Sequence, residues 1–563
     1  MKIKKIILII APILIFSMFF GACVSNKIGD TSTNISTKDK EDGNDDTKTS
    51  ENEPVLKEKL TLKILMHQGF NPEYVPSSDQ PVFQELERLT NVHLDIEILP
   101  YDDPGERLAA AVAAREQFDM VAIKDEGEPF DTYGMEGYFI PLQSLISEHA
   151  PNIKKVFDDP LTGDILPYTQ DVWSEMTATD GNIYSLPSIT SSNAIGAVFA
   201  IREDWLKTLN LEIPETVEEL YSVLKAFRKN DPNGNNMEDE IPYSFQTGSY
   251  YRALPIINGF GAHISLYLDK TDDTIKFGPI EQSWKEGIAF LNKLHKEQLL
   301  DNGFQLGGNN ERWSALVSAN LLGMTFGWPL SGICGANIEL SKIDESYAFV
   351  PMQPLKAPDG KRFKDTNTAG RIVVPGLAAI TSFNEYPTET MKFLDFLYSE
   401  EGTRLTNYGV ESLHYNMVDG KPIYTDLIMK HPDGLDPETA TSIEGAGLDL
   451  PTIFRWDSSF QLMTAFPEVI QTWKLYREPG LVEAPLPRLH FKDDEIERGP
   501  DIMAEIQAYI GQGYQDETIT TFILGDESID RFDDFVEQIK RMGLDEALRI
   551  YNEAYRRYKS YER

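Results

Sequence analysis

The sequence predicts an α/β protein built as two large lobes that interleave along the chain. Three observations carry this reading. Residues 62–123 alternate strand and helix patterns, which argues for a parallel sheet with helices on both faces. Strand and helix patterns recur from Val198 onward. Only one long polar stretch, close to the N-terminus, interrupts the 563 residues, so about 500 residues must fold with no second linker.

The elements follow in order. Met1-Lys2-Ile3-Lys4-Lys5, an apolar run over 6–20 and Gly21-Ala22-Cys23 make a secretory signal. A transmembrane helix is the competing reading, but the run falls short of the ~20 apolar residues a span needs, and Pro12 interrupts it. Phe20-Gly21-Ala22-Cys23 resembles a lipobox, with Phe where Leu is usual, and predicts a signal over 1–22 cleaved before a lipidated Cys23. Residues 23–57, rich in Ser, Thr, Asn, Asp and Lys, cannot bury enough surface to offset their ordering entropy and predict a flexible tether. The protein is therefore expected on the extracytoplasmic face of the cell membrane, held by lipid alone.

Leu62, Ile64 and Met66 alternate with polar residues as a strand does, and Leu94, Ile96 and Ile98 repeat the pattern. Pro81 opens a helix between them, 104–116 makes a second helix, and 118–123 a buried third strand. Ligands of such sheets meet the loops beyond the strands' carboxyl ends, which hold His67, Gln68, Lys124 and Asp125. Thr216, with Glu219 three residues on, predicts a capped helix start. Helices are expected over 283–300 and 390–398, and strands over 198–201, 323–329 and 371–380. Near the end, Phe532, Phe535, Val536 and Ile539 form a helical stripe, followed by another after Gly543.

Between helix and strand stands Asp231-Pro232-Asn233-Gly234-Asn235-Asn236-Met237-Glu238-Asp239-Glu240. Oxygen side chains fall at alternate positions, as they do in a chain curling around calcium, a hard cation that takes six to eight oxygens. Asp231, Asn233, Asn235, the Met237 carbonyl, Asp239 and Glu240 are the expected ligands. Pro242 stands where an EF-hand loop has its closing Glu, so Glu240 must close the site, and Asn236 takes the sharp-turn position usual for Gly. The same residues also suit a solvated acidic turn.

This loop, DPNGNNMEDEIPYSF, with REDWLKTLNLEIPETVEELYSVLKAFRKN before it, resembles the extracellular solute-binding proteins of ABC transporters (family 1). The nearest subgroup is the lipoprotein and alginate-oligosaccharide-binding type. MKFLDFLYSEEGTRLTNYGVESLHY, the Gly181, Tyr184, Pro187 segment and the ending GDESIDRFDDFVEQIKRMGLDEALRIYNEAYRRY extend the match over nearly the whole body. The resemblance implies a two-lobed, periplasmic-binding-protein-like (type II) fold with a hinge cleft. It implies a first lobe from 58–185 and 384–450, and a second from 186–383 and 451–563. It further implies a structural calcium, closure around an oligosaccharide, docking on ABC permease subunits and action as a monomer. Trp328 and Trp456 resemble aromatics that line the cleft in these relatives, with Trp173 a third; aromatic platforms suit the C–H faces of sugars, and core packing is the other use of a Trp.

The net charge of −38, more negative once Lys2, Lys4 and Lys5 leave with the signal, opposes nucleic acid and anionic membrane surfaces as partners. Locally, Arg202, Arg371 and Arg455 are candidates for an anionic sugar. With Cys23 lipidated, Cys334 has no disulfide partner and is expected to be buried. No motif of zinc protease, serine hydrolase or phosphate loop occurs, so no enzyme activity is expected. A secreted carbohydrate-active enzyme, needing only two carboxylates, and a carrier of a non-sugar solute such as a peptide remain the alternatives.

Overall fold

A computed structural model describes residues 53–67, 75–99, 104–123, 128–159, 161–162, 169–190, 196–246, 252–303, 311–365, 372–435, 437–446, 450, 453–454, 466–476, 481–483, 485–511 and 518–561. Cys23, Gln68, Lys124, Asp125, Arg371, Arg455 and Trp456 lie outside them.

Two main sheets organise the chain. Their strands are β1 (Leu60–His67), β2 (Val92–Leu99), β3 (Met120–Ala122), β4 (Leu186–Thr190), β5 (Val198–Arg202), β6 (Ile241–Phe245), β7 (Leu322–Gly327), β8 (Phe349–Met352), β9 (Val373–Ile380) and β10 (Ile453–Phe454). The first sheet runs β10-β4-β9-β3-β1-β2 and the second β8-β5-β7-β6.

In the first sheet, β1 pairs in parallel with β2, Leu60 opposite Val92, and with β3, Ile64 opposite Met120. The helix Pro81–Thr90 joins β1 to β2. Pro81 presets its first turn, Val82, Phe83 and Leu86 face inward, and Asn91 in the left-handed region ends it. Both faces of the sheet are covered. Ile64, Met120, Phe393 and Leu397 lie on one side; Leu65, Val121, Phe139 and Tyr184 lie on the other. Helix Glu400–Tyr408 starts on the Ser399 hydroxyl, which accepts the Gly402 N–H.

The second sheet pairs β5 antiparallel with β7 and β8, and β7 parallel with β6. Its main core joins Trp205, Phe227, Tyr243, Trp284 and Met324 with Phe532 and Phe535 from the carboxyl end. The expected capping box is present: Thr216 Oγ1 accepts the Glu219 N–H at 3.2 Å, Glu219 Oε2 accepts the Thr216 N–H at 3.2 Å, and the helix runs Val217–Lys229. Helix Gln282–Lys296 buries Trp284, Ile288, Leu291 and Leu294, the face its periodicity predicts. Gly543, at φ 106, separates the two terminal helices Phe532–Arg541 and Leu544–Tyr561. Among the described residues no helix is long and apolar enough to cross a membrane.

The expected lobe boundaries need correction. The second lobe was to begin at 186, yet β4 lies in the first sheet, where Leu186 and Ile189 enter its core. It was to continue to 383, yet β9 lies between β4 and β3 and buries residues on both faces. Its final part was to begin at 451, yet β10 pairs with β4. The chain thus leaves the first sheet after Thr190, re-enters it at Val373, and makes its last pairing there at Phe454.

Two side chains take structural places. Arg202 is buried, its guanidinium held by both oxygens of Asp204 at 2.9 and 2.6 Å and 4.9 Å from the Trp205 ring centre, so it is engaged within its own lobe. Cys334 is buried as expected, and burial pushes its thiol up to about 12.

Candidate functional site

The acidic loop begins where helix Val217–Lys229 ends. Asp231, Gly234 and Asn236 all take positive φ, 46°, 73° and 61°, so Asn236 fills the sharp-turn position as expected. The Asp231 carboxylate accepts the N–H groups of Asn235 (3.0 Å) and Asn236 (2.9 Å). Asn235 Oδ1 accepts the Met237 N–H at 2.7 Å, and Asp239 accepts the side-chain amides of Asn233 (3.3 Å) and Asn235 (3.0 Å). Three predicted ligand side chains, Asn233, Asn235 and Asp239, are therefore drawn together, while Asp231 holds the loop's backbone. Arg228 Nη1 donates to the carbonyls of Glu238 (2.8 Å) and Glu240 (3.2 Å), tying the loop's end to the helix.

Glu240 is the telling residue. It is 0 % exposed, and neither carboxylate oxygen has a hydrogen-bond partner. Burial, with Asp239 and Asp231 beside it, holds this carboxyl above the usual carboxylate range. A buried carboxylate without a donor is costly, and a hard cation is what compensates one. Met237 exposes its side chain, which leaves its main-chain carbonyl as the group to offer. Among the described residues no three His, Cys, Asp or Glu side chains converge as a metal site by themselves. An ion here must also draw on the Asn233 and Asn235 amides, whose oxygen and nitrogen exchange places by a half-turn.

The second feature lies at the carboxyl ends of β6 and β7. Gln246 follows β6, donates its N–H to the Phe326 carbonyl (3.1 Å), and with Oε1 accepts the N–H of Trp328, which follows β7 (3.3 Å). Gly332 packs so close that a Cβ there would sit 2.7 Å from Gln246 Oε1. Trp328 is 44 % exposed, the one exposed indole among the described tryptophans. Its backbone is anchored and its ring is open.

Two other described candidates, His67 and Trp173, belong to the first sheet and its core. His67 ends β1 in the first sheet and is buried. Trp173 packs edge-on to Phe157 (4.9 Å), donates Nε1–H to Asp158 (3.2 Å) and adjoins the first core, so its ring is spent on packing. Gln246 escaped the sequence reading; its place one residue beyond a buried strand was the available signal.

A family description, bacterial extracellular solute-binding protein, matches residues 71–404, more than half of the chain. This chain is a bacterial extracellular solute-binding protein. The solute-binding protein is 26% identical over 527 residues to the fructooligosaccharide ABC transporter substrate-binding protein FusA of Streptococcus pneumoniae, covering 90% of this chain and 92% of FusA. It is 25% identical over 512 residues to the polygalacturonan/rhamnogalacturonan-binding protein YtcQ of Bacillus subtilis, covering 90% and 93%. Among solved structures it resembles the alginate-binding protein AlgQ2, crystallised without calcium ion, with TM-score 0.69, 28% identity and coverage of 89% and 99%. The two sheets are thus the centres of the two lobes of a solute-binding protein, and the family and these relatives are binding proteins rather than enzymes.

Proposed function

We propose that this protein, lipid-anchored through Cys23 at the outer face of the cell membrane, captures an oligosaccharide between its lobes and delivers it as a monomer to an ABC import permease. The observation that carries the reading is its similarity, along nine-tenths of its length, to FusA and YtcQ, both named for oligo- or polysaccharide ligands. Trp328 supports it as a stacking platform, because a sugar's apolar C–H face matches an exposed, anchored indole. His67 ends a strand of the facing lobe. Gln68 follows β1 in sequence, Lys124 and Asp125 follow β3, Arg371 precedes β9 and Trp456 follows β10, so all are candidates for further contacts. Binding shifts the population from open to closed lobes, and the closed form docks on the permease.

The acidic loop, in this reading, holds a structural calcium through Asp231, Asn233, Asn235, Asp239, Glu240 and the Met237 carbonyl. The unsatisfied Glu240 carboxylate supports it, as does a relative described by its lack of calcium. The ion would fix the turn between helix Val217–Lys229 and β6, and takes no part in the ligand's chemistry.

The test is calorimetry of the mature protein with fructo-, galacturono- and alginate oligosaccharides, with the sugars analysed afterwards. Saturable binding with the sugars intact is expected. Absence of binding across the panel, or cleavage of any member, overturns the reading.

A further inference from the structure

A buried cluster of charge ties the carboxyl-terminal segment to the first lobe. Asp131, on helix Glu128–Met135, and Glu175, on helix Val172–Met176, belong to the first lobe, where neighbouring Phe130, Val172 and Met176 enter its cores. Arg488 and His490 come from segment 485–492, which has no regular secondary structure. Arg488 Nη2 meets Asp131 Oδ2 at 2.8 Å, and the Arg488 main-chain N–H donates to Glu175 Oε2 at 3.1 Å. His490 Nδ1 lies 3.2 Å from Asp131 Oδ2, and its Nε2 lies 3.3 Å from the Glu175 carbonyl. The Tyr558 hydroxyl donates to Glu175 Oε1 at 3.0 Å. Asp131, Glu175, Arg488 and Tyr558 are all buried.

The other side of this junction belongs to the second lobe. Leu489 packs with Tyr558 and Ile275, and Phe491 meets Tyr551 at 4.9 Å. Helix Leu544–Tyr561 is fixed there by Leu544 and Ala547 in the second core, and by Asn552, which accepts the Ile275 N–H (2.8 Å) and donates to its carbonyl (2.9 Å). Segment 485–492 is therefore two-sided: apolar residues toward the second lobe, Arg488 and His490 toward the first.

Parting these surfaces would break the Arg488–Asp131 ion pair and the hydrogen bonds of Glu175 to Arg488 and Tyr558 together, and would uncover the buried Tyr558 ring, an unfavourable change. We infer that this junction stays closed while the cleft opens, that it is the pivot on which the lobes turn, and that Arg488 is its positioning residue. The inference rests on the hinge-closing reading above. It makes Arg488 a determinant of affinity without contact to ligand, because apparent affinity scales with the fraction of molecules in the competent arrangement.

The test uses the mature chain with Cys23→Ser and nitroxides at Asp79→Cys and Glu212→Cys, exposed sites on the first and second lobes. Pulsed EPR gives the interlobe distance distribution, alone and with kestose or trigalacturonate. A shift on adding sugar to the parent establishes hinge closure. Arg488→Met should then broaden the sugar-free distribution and weaken sugar binding about tenfold, as a tenfold loss of the competent fraction requires. Arg488→Lys, which keeps the charge, should recover part of both. If Arg488→Met fails to fold, Tyr558→Phe, which removes one hydroxyl, should give the same broadening to a smaller extent and decides the matter. An unchanged distribution in the variant that folds, whether or not affinity falls, overturns the pivot while hinge closure stands. A parent distribution that no binding sugar shifts overturns hinge closure and the pivot together.

Discussion

Glu240→Met separates a calcium loop from a plain acidic turn by the sign of its effect. In chelator the parent holds a fully buried carboxylate with both oxygens unsatisfied. Exchanging it for an apolar side chain of similar length should relieve about 1–3 kcal/mol, the penalty of such a group. In calcium the balance reverses. The parent gains the linkage free energy of an ion that binds only the folded form, about 4.1 kcal/mol at a thousandfold excess over its dissociation constant, and the variant forfeits it. Unfolding entropy of about 2 cal/mol/K per residue, over about 500 residues, makes 1 kcal/mol worth about 1 °C. The variant should therefore melt about 1–3 °C above the parent in chelator and, after that gain is set against the lost linkage term, about 1–3 °C below it in calcium. Magnesium should not replace calcium, since it demands a tight octahedron and keeps its waters. Scanning calorimetry reads both shifts, after metal removal under partial unfolding has been verified by elemental analysis. A variant destabilised by the same amount in chelator and in calcium refutes the reasoning, as does a parent that carries no calcium and melts alike in both.

Trp328→Ala should weaken oligosaccharide binding by about 1–3 kcal/mol if its ring is the proposed platform, with the melting temperature preserved because the ring is exposed and outside the cores; equal affinities by calorimetry remove it from the site. Cys23→Ser should move the protein out of the membrane fraction, and processed variant that still sediments with membranes contradicts lipidation. His263 offers a pH signature. Burial opposes its charge, but Glu483 at 3.0 Å, with Asp365 and Glu281 near, raises its pKa above the ordinary value. A raised folded pKa contributes stability that is present below the unfolded pKa and is lost as pH rises through the folded one. Glu483→Gln should thus lower the melting temperature near pH 5 and have little effect by about pH 9; a loss that is the same at both pH values discards the pairing.

What reads directly from the sequence is what local pattern encodes. The alternation of Leu62, Ile64 and Met66, the Thr216–Glu219 capping box and the order of oxygen donors after Asp231 each specify a conformation within a few residues. The lobe boundaries are not local. β4 and β9 are antiparallel neighbours, yet the whole of β5 to β8 lies between them in the chain, and no nearby residue marks that pairing. Trp173 and Trp328 look alike in sequence; only the packing of Phe157 against one and the Gln246 anchor of the other tell them apart. Arg202 reads as an available cation until Asp204, two residues on, closes around it.

The same crossing of the chain bears on how the protein is made. β9 is the strand that joins β3 to β4, so the first lobe has a gap at its centre until residue 380 has been synthesised. The second lobe's core waits still longer, since Phe532, Phe535 and Leu544 complete it. Neither lobe can nucleate as a finished unit from the N-terminal half, and contacts of such high sequence separation form slowly. A nascent chain wired this way can complete its first sheet only after Phe454 and its second core only when the final helices have emerged. Loss of the final helices should consequently cost the protein its second lobe, along with the junction those helices make to the first.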